Sequence, residues 1–413
     1  MTRAVFPLSV GAVRSFSPDD YAVLLIRDDI DRHKHNQTFA RELTEAFSSL
    51  GVRMLCLDYV RDVRQLSETI RDENCAFFIC FNGFGSELVN ASGTPGKLDS
   101  TFEVWRKPLF DLMHDCPVHE SMEHQLNSVG QFRKALFTDY SYAHLSRMLG
   151  SKSVQAVSSI TFPQTVTTPL KRIADRSIEI LLPVGLSDPQ AVRNRFQPPV
   201  SYRDRLFREL FESVTAVAVD DLATDPLTQT LIACQDANIA VNFRDPDMRF
   251  LITAVLDFVK FARRDRLVRA ISHLPVTIIS DHDVSERFSG SNLKLMKDRP
   301  FPDLIDAMGD TKIVLCPLPH HTGFHERPLA AFTSGAAVFA APNEVLETNF
   351  RQGRDMLTYK TPDHLAKLLA SALAGDIDLQ LMANNGERVA HERFSPRRLA
   401  ETILSQWGAM ESD

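Results

Sequence analysis

Residues 312–346 constrain the fold more than any other part of the chain. They begin with an apolar, β-branched run at 312–318 that prolines close, as is typical of a buried parallel strand. A polar loop follows, and a helix pattern then runs from Pro328 to a stop at Gly335. Residues 336–340 are apolar again. This order predicts a strand, a loop, a helix and a second parallel strand.

The loop before the helix pattern carries charged and polar side chains. Residues 320–327 include three histidines, a glutamate and an arginine. The first N–H groups of a helix have no partner within the helix, and the helix dipole adds positive charge there. We expect Gly323 to let a ligand approach the backbone and Arg327 to add a bidentate charged contact. The loop therefore predicts a phosphate or diphosphate site, although an ordinary solvated loop explains the same pattern.

Composition limits the class of protein. A chain of 413 residues is long enough for two domains of about 200 residues each. The net charge of −7 does not indicate a nucleic-acid partner or an anionic membrane. There is no apolar run of about 18–20 residues, and residues 1–17 do not resemble a signal peptide. The six cysteines are scattered without a CxxC pair, which favours buried thiols in a reducing cytoplasm.

Strand and helix patterns alternate along both halves of the chain. In the first half, the predicted strands lie at 21–26, 52–57, 76–81, 108–113 and 135–138. A stretch rich in threonine and proline at 161–171 interrupts the pattern, which resumes at 177–185. We predict an α/β protein with two Rossmann-like, doubly wound domains that face a cleft. The predicted divisions are an N-terminal domain at 1–168, a C-terminal domain with a helical insertion at 169–395, and a last helix at 396–413 that can cross back.

A second polar cluster follows the fourth predicted strand. Asp115 and His119 are candidate general bases, and His114 is the next choice, because such groups at a strand end can take a proton from a hydroxyl. A polar loop with partly solvated histidines is the simpler interpretation. A zinc site that also uses Cys116 is disfavoured, because His119 and His124 are five residues apart and would not share one helix face. We predict no metal ligands.

Three weaker features carry less chemistry. Residues 82–85, Asn-Gly-Phe-Gly, end the third predicted strand but do not form a GxGxxG fingerprint, so NAD binding is not predicted. Lys294 and Lys297 are predicted to lie in a loop as solvated side chains, with a phosphate contact as the alternative. Residues 263–266 are predicted to be a mixed-charge helix face without further function.

Three motifs in the second half of the chain carry a family resemblance. The first joins the helix pattern at 301–305, the strand at 312–315 and the loop and helix at 323–338. The second is Tyr-Lys-Thr-Pro-Asp-His-Leu at 359–365, and the third is the helix pattern at 384–395 that ends in Phe-Ser. Together they resemble the donor-binding half of GT-B glycosyltransferases, especially the group 1 and spore-maturation-protein-like branches. The resemblance covers residues 177–404, whereas the first half resembles the family only in fold type.

The resemblance implies a glycosyltransferase that moves a sugar from a nucleotide-sugar donor to a hydroxyl of a glycan or protein. The N-terminal domain would hold the acceptor, with Asp115 or His119 as base. Arg327 and the loop histidines would stabilise charge on the departing nucleoside diphosphate. Glu326 would hold a sugar hydroxyl or orient Arg327. Such enzymes generally need no divalent metal, so the resemblance implies no cofactor.

The implied donor-binding residues are Gly185, His321, Gly323, Phe324, His325, Glu326, Arg327, Leu329 and Glu344. One feature departs from the family pattern, because the helix glutamate that binds the ribose is replaced by Leu-Ala-Ala at 329–331. Glu344 would then substitute, or the ribose is held differently. The departure leaves open a non-catalytic protein that binds a nucleotide-sugar, and a nucleotide-sugar epimerase of the same shape is the other alternative.

Overall fold

The structure is a computed structural model that describes residues 16–29, 31, 33–85, 88–91, 98–122, 130–151, 153–157, 169–196, 201–289, 291–318, 322–323 and 325–410. Among the predicted site residues, His321, Phe324 and His124 lie outside the described residues. The predicted boundary between 168 and 169 also borders undescribed residues and stays a prediction.

The first part of the chain forms a parallel sheet of six strands. Its elements in chain order are β1 (Tyr21–Ile26), α1 (His35–Ser49), β2 (Arg53–Asp58), α2 (Val63–Thr69), β3 (Cys75–Phe81), β4 (Val89–Ala91), β5 (Leu98–Ser100), α3 (Thr101–Val104), β6 (Leu109–Met113), β7 (Arg133–Phe137), α4 (Tyr140–Met148) and β8 (Val154–Ala156). The sheet order is β2-β1-β3-β6-β7-β8, while β4 and β5 form a separate antiparallel pair. The central strands are buried because helices cover both faces, which explains their continuous apolar sequences.

The second part forms another parallel sheet of six strands. Its elements are β9 (Ile178–Pro183), α5 (Pro189–Arg193), α6 (Tyr202–Asp220), α7 (Pro226–Asp236), α8 (Pro246–Ile271), β10 (Val276–Ser280), β11 (Lys294–Lys297), α9 (Phe301–Gly309), β12 (Thr311–Cys316), α10 (Glu326–Thr333), β13 (Ala337–Ala340), α11 (Glu344–Asn349), β14 (Leu357–Thr358), α12 (Pro362–Leu373), α13 (Leu379–Arg393) and α14 (Pro396–Met410). The order is β11-β10-β9-β12-β13-β14. The prediction of two doubly wound α/β units is confirmed.

Two local predictions are corrected. The helix α10, predicted to follow the loop at 320–327, begins at Glu326 rather than Pro328, because His325 is extended at φ −113° and acts as the N-cap. Pro328 is then the third helical residue, where its missing N–H breaks no helical hydrogen bond. Lys294 and Lys297 bound an edge strand that pairs with β10, not a loop. Edge strands with exposed lysines lack the apolar pattern on which the sequence prediction depended.

Helices from the second half of the chain also pack against the first sheet. The first part of α8, including Val255 and Val259, shares a core with Met113 and Phe137 of the first sheet. The end of α8 packs instead against the second sheet. The last helix, α14, packs against α1, and the ring centroids of its Trp407 and the β3 residue Phe77 are 5.8 Å apart. These contacts hold the carboxyl ends of both sheets toward a shared cleft.

None of the helices in the described residues has the length and apolar character that crossing a membrane requires.

Candidate functional site

Loops from both sheets line one cavity of about 210 Å³. The first sheet contributes the ends of β3, β6 and β7 together with α1, and the second sheet contributes the start of α10. The lining residues are His35, Asn36, Phe39, Phe81, Asn82, His114, Asp115, Thr138, His325 and Glu326. Ligands of open α/β sheets bind at the carboxyl ends of the strands. The cavity is therefore a candidate substrate site.

Asp115, one of the two predicted bases, faces this cavity. Its side chain is exposed within the cavity, and Asn82 Nδ2 donates a hydrogen bond of 2.8 Å to its Oδ2. Although the side chain is open to the cavity, the cavity walls reduce its contact with bulk water, and this desolvation raises the pKa of Asp115 above its ordinary value, while His325 and His119 act in the opposite direction. A carboxylate with a raised pKa is suited to accept a proton from a substrate hydroxyl.

Two neutral or partly buried imidazoles lie beside Asp115. Burial lowers the pKa of His114 to about 4, so its ring is uncharged at pH 7. The ring of His114 meets Phe39 edge-on, with centroids 6.1 Å apart. His35 Nε2 is buried and has no hydrogen-bond partner among the described residues. An uncharged imidazole has one donor and one acceptor nitrogen, so the His114 ring can bind a hydroxyl group of a ligand, and the Nε2 of His35 offers a further contact.

His119, the other predicted base, is not among the described residues that line the cavity. Its Nδ1 lies 2.8 Å from Ser121 Oγ and accepts the Ser121 backbone N–H at 3.2 Å. Its Nε2 lies 3.7 Å from Asp257 Oδ2 on α8. Because both ring nitrogens face groups outside the cavity, the geometry favours Asp115 as the base. The catalytic role of either residue stays a prediction.

The loop at Gly323 contacts the first half of the chain, which gives a structural reason for the glycine. A Cβ atom at Gly323 would lie only 2.6 Å from Asp139 Oδ2. The hydroxyl of Thr322 donates to Asp139 Oδ1 at 2.8 Å and lies 3.0 Å from Ser141 Oγ. The space that a side chain would need is occupied by Asp139, the N-cap of α4. Glycine is therefore required for contact between the two halves of the chain, and the approach of a ligand to its backbone stays a prediction.

The first turn of α10 concentrates charge at the cleft. His325 Nδ1 is in direct contact with Glu326 Oε2, and Arg327 Nε lies 3.9 Å from Glu326 Oε1. Burial alone would raise the pKa of Glu326, but the positive charges of His325 and Arg327 outweigh it and hold this pKa well below its ordinary value. Glu326 is thus a buried negative charge in contact with both neighbours, and its predicted role in orienting Arg327 stays a prediction.

Sequence reasoning missed Arg264, which lies beside Arg327. Its side chain is 7% exposed, and Nη1 donates to Gly185 O at 2.9 Å at the end of β9. Burial lowers the pKa of Arg264 to about 9, and the positive charge of Arg327 contributes in the same direction. A Cβ at Gly185 would lie 3.0 Å from Asp281 Oδ1. Arg264 and Gly185 thus lie just past the end of β9, which is the neighbour of β12 in the sheet.

Residues 263–266 lie on a helix and carry both signs of charge, as predicted, but Arg263 and Arg264 are buried. Arg263 is buried, and its guanidinium donates to the carbonyls of Ala218, Asp221 and Thr224 at the end of α6. Arg266 is about half exposed and pairs with Asp220. The spacing of charges along the sequence could not distinguish the buried arginines from the exposed one. The reason is that α8 is covered by other elements on more than one face, so some of its charged residues point into the protein and others into solvent.

Two predicted donor-binding residues occupy different environments. The Leu329 side chain is fully buried in the core, so only its backbone N–H can contact a ligand. Glu344 is the first residue of α11 and is half-buried. The preceding residue, Asn343, donates from Nδ2 to Gly323 O at 2.6 Å and so fixes the glycine loop. Ala330 and Ala331 are buried beside Leu329, which explains why this stretch offers no ribose ligand.

Among the described residues, no group of three or more His, Cys, Asp or Glu side chains is arranged to hold a metal ion. His124, one member of the zinc alternative, lies outside those residues.

Comparisons with known proteins agree with this architecture. Residues 263–405 match the family model described as glycosyl transferase-like. A search of curated proteins finds no match. Among solved structures, the Anabaena Alr3699/HepE complex with UDP and glucose is 9% identical, with coverage of 94% of this chain and 99% of that chain and a TM-score of 0.50.

Two further solved structures are similar over nearly their whole length. Sucrose-phosphate synthase from Thermosynechococcus elongatus is 10% identical, covers 95% of this chain and 99% of its own, and has a TM-score of 0.51. BGT of T4 phage, in complex with UDP and Mn²⁺, is 7% identical, covers 94% and 99%, and has a TM-score of 0.52. The spore-maturation-protein-like branch stays a prediction. The chain has the GT-B fold of glycosyltransferases and carries a glycosyl transferase-like domain over residues 263–405.

Proposed function

We propose that the chain transfers a sugar from a nucleotide-sugar donor to a hydroxyl group of a glycan or protein. The glycosyl transferase-like domain and the fold support this class of reaction. The HepE and BGT structures each contain UDP, and HepE also contains glucose. The same class of donor would enter the cleft between the two sheets of this chain.

The observation that carries the proposal is the pair formed by Arg264 and Arg327. Arg264 Nη1 reaches the carbonyl of Gly185 just past the end of β9, and the positive charge of Arg327 helps to lower the pKa of Arg264. Arg264 Nε is buried without a hydrogen-bond partner among the described residues, and its Nη1 binds only a backbone carbonyl. Two such cations in a cleft are stabilised by an anion with several acceptor oxygens. A diphosphate meets this requirement.

The start of α10 would add further contacts to the diphosphate. Its first helical N–H groups belong to Glu326, Arg327 and Leu329, since Pro328 has none. As the sugar–phosphate bond breaks, negative charge grows on the diphosphate, and these donors would stabilise it. His325 and Glu326 would contact the transferred sugar, and Glu344 would contact the ribose. His321 and Phe324 stay predicted donor contacts.

The cavity beside Asp115 would receive the acceptor. Asp115 takes the proton of the acceptor hydroxyl, whose oxygen forms the new bond to the anomeric carbon of the sugar. The bond between that carbon and the diphosphate oxygen breaks, and its electron pair leaves with the diphosphate. Two phenylalanines and several hydrogen-bonding groups line the cavity, a combination suited to a small polar ligand with an apolar face.

We further propose that no divalent metal is needed, because Arg264, Arg327 and the helix N-terminus supply positive charge at the diphosphate. The first experiment is a thermal-shift panel with UDP, GDP, dTDP, ADP and CMP, each with and without Mg²⁺ or Mn²⁺. A ligand at about 100 times its Kd should stabilise the protein by about 2.7 kcal/mol. A nucleoside diphosphate that acts only with a metal would refute metal independence, and a flat panel would refute nucleotide binding.

Matched variants locate the ligand. Arg264→Gln and Arg327→Gln should each weaken the shift caused by the nucleoside diphosphate, because each removes one of the paired charges. Arg266→Gln is the control on the same helix, since Arg266 is about half exposed and pairs with Asp220. Equal shifts in all three variants would exclude the arginine pair as the diphosphate site.

Turnover assays separate the alternatives. Consumption of donor only when acceptor is present supports the transferase, whereas interconversion of the donor sugar without acceptor supports an epimerase. Tight binding without either reaction supports a non-catalytic protein. The buried Leu-Ala-Ala stretch at 329–331 is compatible with this alternative.

A further inference from the structure

Asn82 has a strained backbone beside the candidate base. It follows β3 with φ 46°, and Gly83 follows it with φ 73°. Few residues other than glycine adopt a positive φ, although asparagine tolerates it better than most. Backbone strain of this kind persists only where surrounding contacts impose it, and it is common at functional sites. The question is what the asparagine side chain does there.

The Asn82 side chain binds the segment that carries Asp115. Its Oδ1 accepts the backbone N–H of His114 at 2.8 Å and that of Asp115 at 3.3 Å. Its Nδ2 donates to Asp115 Oδ2 at 2.8 Å. Asp115 Oδ1 accepts no hydrogen bond from the described residues. One amide thus fixes both the backbone and one carboxylate oxygen of Asp115, and leaves the other oxygen to the cavity.

A buried ion pair between Asp111 and Arg133 in turn holds the backbone at Gly83, the residue next to Asn82. Asp111 Oδ1 accepts the Gly83 backbone N–H at 2.7 Å, and Arg133 Nε donates to Asp111 Oδ2 at 2.9 Å. Asp111 is completely buried, and Arg133 is 8% exposed. The ion pair therefore has little freedom to move, and the strained turn at 82–83 is fixed from below.

We propose that Asn82 is a positioning residue that aims Asp115 Oδ1 at the acceptor hydroxyl, with Asp111 and Arg133 holding Asn82 in place. This role rests on the proposed function. The acceptor proton passes to Oδ1 as the acceptor oxygen bonds the anomeric carbon, while the diphosphate leaves with the electron pair of the broken bond. Oδ2 keeps its hydrogen bond from Asn82 throughout.

The substitution Asn82→Asp isolates this role. An aspartate at this position can still accept the two backbone N–H groups of His114 and Asp115, so the turn is retained. It replaces the donor to Asp115 Oδ2 with a second negative charge, which favours the protonated form of the pair. The acid limb of kcat/KM should move to higher pH by about one unit or more, with the rate recovering as pH rises.

Asn82→Gly is the companion variant, because glycine adopts the positive φ and lacks the side chain. It should lower the rate about 10-fold or more at every pH by releasing Asp115, in keeping with the sensitivity of catalysis to small displacements. A normal rate in this variant, or an unmoved acid limb in Asn82→Asp, would overturn the proposal.

A readout without turnover distinguishes failure of this proposal from failure of the proposed function. The decrease in Tm that Asn82→Asp causes is measured from pH 4 to 8, once in the wild-type chain and once in a chain that carries Asp115→Asn. This decrease should grow with pH in the wild-type chain and stay flat in the other, because only the first contains two facing carboxylates. Equal pH dependence in both backgrounds would overturn the contact itself. If the pH dependence differs between the two backgrounds as expected but no sugar is transferred, the contact between Asn82 and Asp115 is supported and the proposed transferase activity is rejected.

Discussion

Replacement of Asp139 by asparagine tests the contact between the two halves of the chain. Asp139 is 3% exposed at the N-cap of α4, where its Oδ1 accepts the N–H groups of Ser141 and Tyr142 and the hydroxyl of Thr322. An asparagine retains an oxygen for these bonds but carries no charge. Asp139→Asn therefore removes the ionisation and little else.

The size of the expected change in the free energy of unfolding follows from the pKa of Asp139. Burial raises the pKa of Asp139 from 3.8 to about 6, although the bonds from Thr322 and Tyr142 act in the opposite direction. A raised carboxyl pKa means that its stabilising contribution is complete below the unfolded value near 3.8 and is lost as pH rises through about 6. A shift of about 2 units, at about 1.36 kcal/mol per unit, gives about 3 kcal/mol between pH 3 and pH 7.

The measurement is the difference in free energy of unfolding between Asp139→Asn and the wild-type chain. It should be near zero at pH 3 and reach about 3 kcal/mol in favour of the variant at pH 7. For a chain of 413 residues, this corresponds to a Tm gain of about 3–4 °C. Asp283→Asn is the control, because Asp283 is exposed and its pKa is lowered by hydrogen bonds from Ser285. A difference that is constant with pH, or that grows toward acid pH, would refute the reasoning.

Three further predictions concern activity and packing. Arg327→Ala should lower kcat by about 10²-fold with an unchanged Tm, because it acts on charge that develops during the reaction; near-normal turnover would remove it from the mechanism. Asp115→Asn should lower the rate far more than His119→Ala, and the reverse order would reassign the base. Gly386→Ala should cost about 1–3 kcal/mol in a denaturant titration, because its Cβ would lie 2.5 Å from Phe332 and 2.8 Å from a backbone oxygen; unchanged stability would contradict this packing.

The sequence predicted the elements whose environment is uniform along their length. β1 was assigned to its end residues because helices bury both of its faces. The helix pattern at 301–305 begins at the first residue of α9, because Pro302 and an amphipathic pattern mark that start. The edge strand β11 was missed because its stability comes from pairing with β10 and not from its own side chains. Short elements of this kind depend on neighbours that are distant in sequence.

The candidate site could be predicted only where its chemistry lies on one loop. Glu326 and Arg327 were found because the strand, loop and helix that present them are continuous in sequence. Residues 82–85 were noted only as the end of a strand, since the partners of Gly83 and Asn82, which are Asp111 and Asp115, belong to β6 and the residues just after it. The ring of His119 carries the right chemistry, but its contact with Asp257 of α8 turns it away from the cavity, which no local pattern reveals.

Arg264 shows most clearly that local sequence patterns do not reveal contacts between distant parts of the chain. The same residue also links the fold to the proposed function. It belongs to a helix of 26 residues that packs against the first sheet at one end and the second sheet at the other. The side chain that reaches Gly185 is thus set by the position of both sheets. Any relative movement of the sheets that shifts α8 must also move this guanidinium relative to Arg327. Because two cations attract a diphosphate most strongly when both reach it, donor binding should favour the arrangement in which the sheets stand as they do here, with the acceptor cavity formed.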